Sequence, residues 1–326
     1  MSLTTKRNAF SLIELLFVIV ILGIVGTVAL AAIKEYFEAS IVMTEVDKRV
    51  AEADRVLEQI TPYFENGIAE SITRLELGTG NTCYGPPAGE DINNRAIAFV
   101  SVDVDSRRGS WDAVIGRFVP GWSEDVNVSG NTIRSIGGNY NYANTIIGSL
   151  YPGNTIVDSA IYNRDQINLD STKCQSYMWD TTNAWNVNGY GDAYLDITAN
   201  PTPNTLSVTW PTNIVQPIGS SSGRYLLSTA YAFEVNASGD FLMYNNFRPW
   251  LGEKFPVGSS NIITTKATNF SVFYDRSATA ALDGMGSKTG MFYILKLCMR
   301  SPNDTNLDDK NETTQICRQR SVHVRY

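Results

Sequence analysis

Glu14 is a lone carboxylate inside an apolar run that extends from Phe10 to Ile33, and Lys6 and Arg7 precede that run. A charge at the centre of a membrane helix costs about 2.5 to 3.5 kcal/mol on insertion scales, so an acid there marks a functional group that wants a cationic partner. Asp103 and Asp105 point to one side of an expected strand and could work together as paired acids. Asp304, Asn306 and Asp308, with Asp309 and Glu312, gather oxygen ligands as a weak calcium candidate. Asp309 stands where the calcium-loop motif requires Gly, and Gln315 where its bidentate acid belongs, so a solvated hairpin tip is the plainer reading. His323, the single histidine, alternates with Val322 and Val324 and reads as a surface residue, so Ser-His-Asp catalysis would rest on it alone. No phosphate-binding glycine loop, dinucleotide fingerprint or metal-ligand helix occurs, and no cofactor is expected. A net charge of -7 without a Lys/Arg stripe gives no support for nucleic-acid binding.

The elements that must position Glu14 follow from the hydropathy pattern. The 24 residues from Phe10 to Ile33 hold no other charge, and as a helix they would span roughly 36 Å, enough to cross a bilayer. The run passes directly into Lys34 and Glu35 instead of a small-residue cleavage site, so the anchor is expected to be retained. Lys6 and Arg7 place the N-terminus in the cytoplasm and send the remainder across the membrane. Gly23, Gly26, Ala29, Ala31 and Ala32 would let neighbouring helices approach closely. Beyond the anchor, apolar residues from Val42 through Ala53, Leu57, Ile60, Phe64, Ile68, Ile72 and Leu75 recur every three or four positions. That spacing predicts one amphipathic helix over 34–77, kinked or recapped at Thr61-Pro62 and ended by Gly78-Thr79-Gly80.

Strand signals follow in Ala96 to Val104, Leu206 to Trp210, Tyr231 to Val235, Phe270 to Tyr274 and Val322 to Tyr326. The fold class expected is α+β: a long helix packed on an antiparallel sheet, with a large irregular β-rich insert over about 105–261 within a globular part at 78–326. All six tryptophans fall in the insert, among many Asn, Gly and Ser residues. Those aromatics could fill an all-β core or form a recognition surface for a glycan or secreted partner. Four cysteines on the translocated side allow three pairings. Cys298 and Cys317 lie in adjacent strand-like segments and can face each other across a hairpin, which leaves Cys83 with Cys174.

The N-terminal residues resemble those of type IV prepilins and type II secretion pseudopilins. The resemblance rests on the basic pair Lys6-Arg7, the small Ala9, the aromatic Phe10, and Glu14 four positions on, in Phe10-Ser11-Leu12-Ile13-Glu14-Leu15. Most of that family has Gly where Ala9 stands. The resemblance implies a leader over 1–9, cleavage between Ala9 and Phe10 by a prepilin peptidase, N-methylation of Phe10, and a membrane and assembly helix over 10–33. It also implies partners, namely other pilin or pseudopilin subunits and an inner-membrane assembly platform. In a water-free helix bundle the Phe10 amine of one subunit would pair with Glu14 of a neighbour. The length and the terminal hairpin more loosely resemble large minor subunits of the PilW-like or J-class kind.

Three functions from different classes are compatible with these residues. The first is a structural filament subunit without enzymatic activity. The second is a filament-tip adhesin using the aromatic-rich insert on a surface ligand or secreted substrate. The third is a membrane-tethered enzyme.

Overall fold

The computed structural model describes residues 12–76, 83–84, 95–163, 173–179, 191–211, 216–256, 259–274, 291–301 and 315–325. One helix, α1 (Leu12–Glu65), opens the described chain and is 54 residues long, which at about 1.5 Å per residue is roughly 80 Å. It ends earlier than the spacing over 34–77 predicts. Pro62 lies inside its last turn, and the Thr61 hydroxyl donates to the Leu57 carbonyl at 2.6 Å. The chain then turns at Gly67, where an added Cβ would sit 3.0 Å from Phe99 Cδ2. Only glycine lets the backbone come this close to the ring, and Gly67 pairs there with Ser101 as an isolated bridge. Ile68, Ile72 and Leu75 are buried as expected, but they belong to a 3-10 turn at Ala69–Ser71, its flanks, and the strand β1 (Thr73–Glu76).

The helix is followed by a β-rich body, so the fold is α+β. Next come β2 (Arg95–Val102), the short α2 (Val104–Arg107) and a two-stranded hairpin of β3 (Ser110–Asp112) and β4 (Arg117–Val119). β5 (Val126–Ser129), β6 (Thr132–Ser135), α3 (Tyr140–Leu150), β7 (Ala160–Asn163), β8 (Tyr194–Ile197), β9 (Thr205–Thr209) and β10 (Gly219–Ser221) continue the chain. β11 (Arg224–Val235), β12 (Phe241–Phe247) and β13 (Ser259–Thr264) precede the last three strands, β14 (Ala267–Tyr274), β15 (Met291–Arg300) and β16 (Gln315–Val324). Among the described residues, eleven strands join one antiparallel sheet in the order β1-β2-β11-β7-β8-β9-β6-β5-β10, with β12 and β13 branching from β11. A separate three-stranded sheet has the order β14-β15-β16.

The residues 105–261 do not form a detached insert. β11, from the end of that segment, pairs with β2 from before it, with Phe233 opposite Ile97 and Leu227 opposite Val102. Its other edge is shared by β7 near Arg224 to Leu227 and by β12 from Ala230 onward. A strand with partners along both edges and sheet faces covered on both sides reads as an almost continuous apolar run, and β11 is buried at ten of its twelve positions. β2 divides its side chains between two cores: Ile97 and Phe99 join Phe64 and Phe233 in one, and Ala96, Ala98, Val100 and Val102 join Tyr162 and Trp122 in the other.

Candidate functional site at the N-terminal helix

The side chains of α1 divide sharply along its length. From Leu12 to Ile33 its large apolar residues are all exposed, Leu12 at 82% and Leu30 at 68%. Its most apolar 18-residue window has a mean hydropathy of 2.9 and no residue buried against the rest of the chain. Water is a poor environment for such a surface, which needs lipid or other helices. Cβ atoms added at Gly23 and Gly26 would meet nothing within 4 Å, so the helix surface there is open to a neighbour. Glu14 lies in the first turn of the described helix, within this apolar stretch. Lys6, Arg7, Ala9 and Phe10 lie outside the described residues, as do Asp304, Asn306 and Asp308.

The second half of α1 is fixed to the body. Ala53, Val56, Leu57, Ile60 and Phe64 are buried and share one apolar cluster with Phe270, Val272, Leu295, Leu297 and Val322 of β14 to β16. Between the exposed and buried halves, Arg49 is held by Glu45 at 2.9 Å and Glu52 at 3.0 Å, with only 11% of its side chain exposed. The Thr264 hydroxyl donates to Glu52 from β13, which ties this ionic turn to the sheet. The sequence pattern puts Arg49 with Glu45 and Glu52 on the charged faces of the helix, and their i,i+4 and i,i+3 spacing is that of helix ion pairs, but Arg49 is buried rather than solvated. A guanidinium with two carboxylates is well compensated at low exposure, whereas an unpaired one would be costly.

The structure places the remaining candidates apart from α1. Asp103 and Asp105 do not share a strand face: Asp103 is the N-cap of α2, its side chain accepting from the Ser106 N–H at 2.9 Å, and Asp105 lies in the helix it caps. Asp105 is exposed and pairs with Arg108 at 3.2 Å. Burial pushes the Asp103 carboxyl above its usual range, the Ser106 hydrogen bonds oppose this, and the nearby Asp105 charge adds to the rise. A helix cap explains this aspartate without catalysis. His323 is half-buried, with its ring stacked 4.8 Å from Phe292 on the adjacent strand.

Both disulfides are present, Cys298 to Cys317 across opposite positions of β15 and β16, and Cys83 to Cys174 over a separation of 91 residues. Trp122, Trp179, Trp210 and Trp250 are buried in the larger core, so most of the aromatics of 105–261 fill space. The Tyr162 and Tyr177 hydroxyls lie 3.2 Å apart there, and burial raises Tyr177 and Tyr194 well above the usual phenol range. Trp111, in contrast, is 60% exposed.

Residues 4–30 match the family model of the prokaryotic N-terminal methylation motif. The match supports a type IV prepilin-like family and indicates a processed protein of the pilin or pseudopilin kind. With the single described helix that is long and apolar enough to cross a membrane, it fits an inner-membrane anchored, prepilin-type chain. No curated protein and no solved structure matches the chain.

Proposed function

We propose that the chain is a structural minor pilin or pseudopilin without enzymatic activity. A prepilin peptidase cleaves it between Ala9 and Phe10 and methylates the new amine, with the N-terminus on the cytoplasmic side and the body translocated. The inner-membrane assembly platform then adds it to a filament of related subunits. The observation that carries the reading is an apolar helix with no intramolecular cover in the segment that matches the methylation motif. Helix packing in the filament supplies that cover, and Glu14 neutralises the Phe10 amine of a neighbour where no water can do so.

Mass spectrometry of the N-terminal peptide from the membrane fraction tests the processing step. A peptide starting at N-methyl-Phe10 is the expected result, and an uncut Ala9-Phe10 bond would remove the filament reading. Glu14→Ala is expected to enter the membrane normally yet fail to co-purify with filaments. Normal incorporation of that variant would refute the charge pairing.

A further inference from the structure

We propose that the groove between the β3–β4 hairpin and the β5–β6 side of the large sheet binds a carboxylate-bearing carbohydrate. The groove encloses a cavity of about 430 Å³, within the size range of small-ligand sites and large enough for one or two sugar rings. Its construction follows from strand registers. Asp112 and Arg117 are opposite each other in the hairpin and line the groove, so alternation sends the neighbouring pair, Trp111 and Phe118, to the outer face, where both are exposed. From the facing sheet, Asn127 of β5 and Arg134 of β6 are likewise opposite each other and line the same cavity. The hairpin and the sheet thus each contribute one arginine.

Among the described residues these guanidiniums have no ion-pair partner. Asp112, the carboxylate of the groove, is occupied by its own turn: Oδ1 accepts from the Val114 and Ile115 N–H groups at 2.9 and 3.3 Å, and Oδ2 accepts from the Tyr142 hydroxyl at 3.3 Å. Among the described residues, neither Arg117 nor Arg134 has an ion pair or side-chain hydrogen bond. The amides of the rim act in the same sense. Asn139 Oδ1 accepts from the Asn141 N–H at 3.0 Å, and Asn204 Oδ1 accepts from the Thr205 hydroxyl at 3.2 Å, so each keeps its NH₂ donors. The groove is therefore rich in donors and cationic in a chain whose net charge is -7. A planar guanidinium matches a carboxylate with two parallel bonds.

The same geometry favours a sugar acid over an acidic peptide. A peptide binding by strand addition needs a free sheet edge of useful length; β5 is paired with β6 and β10, and β6 with β5 and β9, while the free edges of the hairpin wall, β3 and β4, are only three residues long. A pyranose needs no backbone ladder: its hydroxyl oxygens accept from the amides, and its C–H face can rest on Ile136 and Pro203, which also line the groove. Gly137 adopts φ +85°, and a Cβ there would meet nothing within 4 Å, so the rim beside Ile136 stays low and open.

Titration calorimetry of the full-length protein in detergent, at low ionic strength, tests the proposal with trigalacturonic acid, neutral galactotriose, inorganic phosphate and a glutamate-rich peptide as probes. The acidic trisaccharide is expected to bind at least about tenfold more tightly than the other three, and R117A and R134A are each expected to weaken it about tenfold or more. R108A, an exposed arginine away from the groove, should bind as wild type does. If an alanine variant lowers the unfolding transition, R117K and R134K carry the test: charge is kept, the fork is lost, and affinity should fall between wild type and alanine. Absent saturable binding, equal binding of the neutral sugar, phosphate or peptide, or unchanged affinity in both arginine variants would each overturn the proposal. Processing plays no part in this titration, so its failure and that of the filament reading are separable.

Discussion

The body has two cores that share β2 as a wall, and they are built in different ways. On the helix side, Ile97 and Phe99 meet Phe64, Phe233 and Phe270, so the wall presents large side chains to a single helix face and the β14–β16 sheet. On the other side Ala96 and Ala98 are small, and the space is taken by Trp122, Tyr162, Tyr194 and Trp250. Close packing requires volume removed on one face of a strand to be supplied from elsewhere. Both cores join distant segments, but the helix-side core is built from one helix, the β14–β16 sheet and a few residues of β2, β11 and β12, whereas the far core is assembled from many short elements between Ile68 and Phe255. The two disulfides repeat the contrast, one closing a hairpin with a separation of 19 residues and the other closing 91.

That contrast can be broken most severely at the long loop. In the chain-entropy account, losing Cys83 to Cys174 costs about 4.6 kcal/mol, against about 3.2 kcal/mol for Cys298 to Cys317. The paired alanine variants, unfolded by denaturant in detergent, should therefore rank with the C83A/C174A protein as the less stable. A larger loss from the hairpin pair would mean that the far core is already ordered without its covalent closure.

Phe64→Ala asks whether the two cores melt as one. Phe64 is fully buried, with ring centroids 4.4 Å from Phe99 and 5.4 Å from Phe233, and its truncation should cost about 4 kcal/mol. Trp122, Trp179, Trp210 and Trp250 all lie in the far core, so their fluorescence reports on a region that Phe64 does not touch. The tryptophan transition is expected to shift with the full loss, transmitted through β2. An unchanged transition would show two independent folding units.

The helix-side core was the more legible of the two. Its helix shows in the three-and-four spacing, its sheet in period-two alternation, and the opposition of Cys298 and Cys317 in a short hairpin pattern. The spacing overshot at Ile68, Ile72 and Leu75, because burial every third or fourth residue does not distinguish a helix from a turn and strand that happen to keep the interval. Glu14 was legible for the opposite reason, since a single charge stands out in an apolar run. The far core was hidden because its strands are short and pair out of chain order, β11 with β7 and β9 with β6. Nor did anything in the sequence foretell that Arg117 and Arg134 line one cavity, or that Asp103 would be a buried cap.

Asp103 gives the smallest effect and the sharpest local probe of the far core. It follows β2, its backbone carbonyl accepts from Trp122 Nε1 at 2.9 Å, and its side chain holds the Ser106 N–H. Burial raises its pKa in the folded state, with the Asp105 charge adding to the rise. A carboxyl raised on folding favours the native state at pH values below its unfolded range, near 4, and that contribution is lost as pH climbs through the higher folded value. Asp103→Asn keeps the oxygen that caps Ser106 and removes the charge. The stability of the variant relative to wild type should therefore grow as pH rises from about 4 and level off once Asp103 is ionised in both states. A difference that stays constant across that range, measured by denaturant unfolding at stepped pH, would mean that the cap is open to water and that the far core does not close over the end of β2.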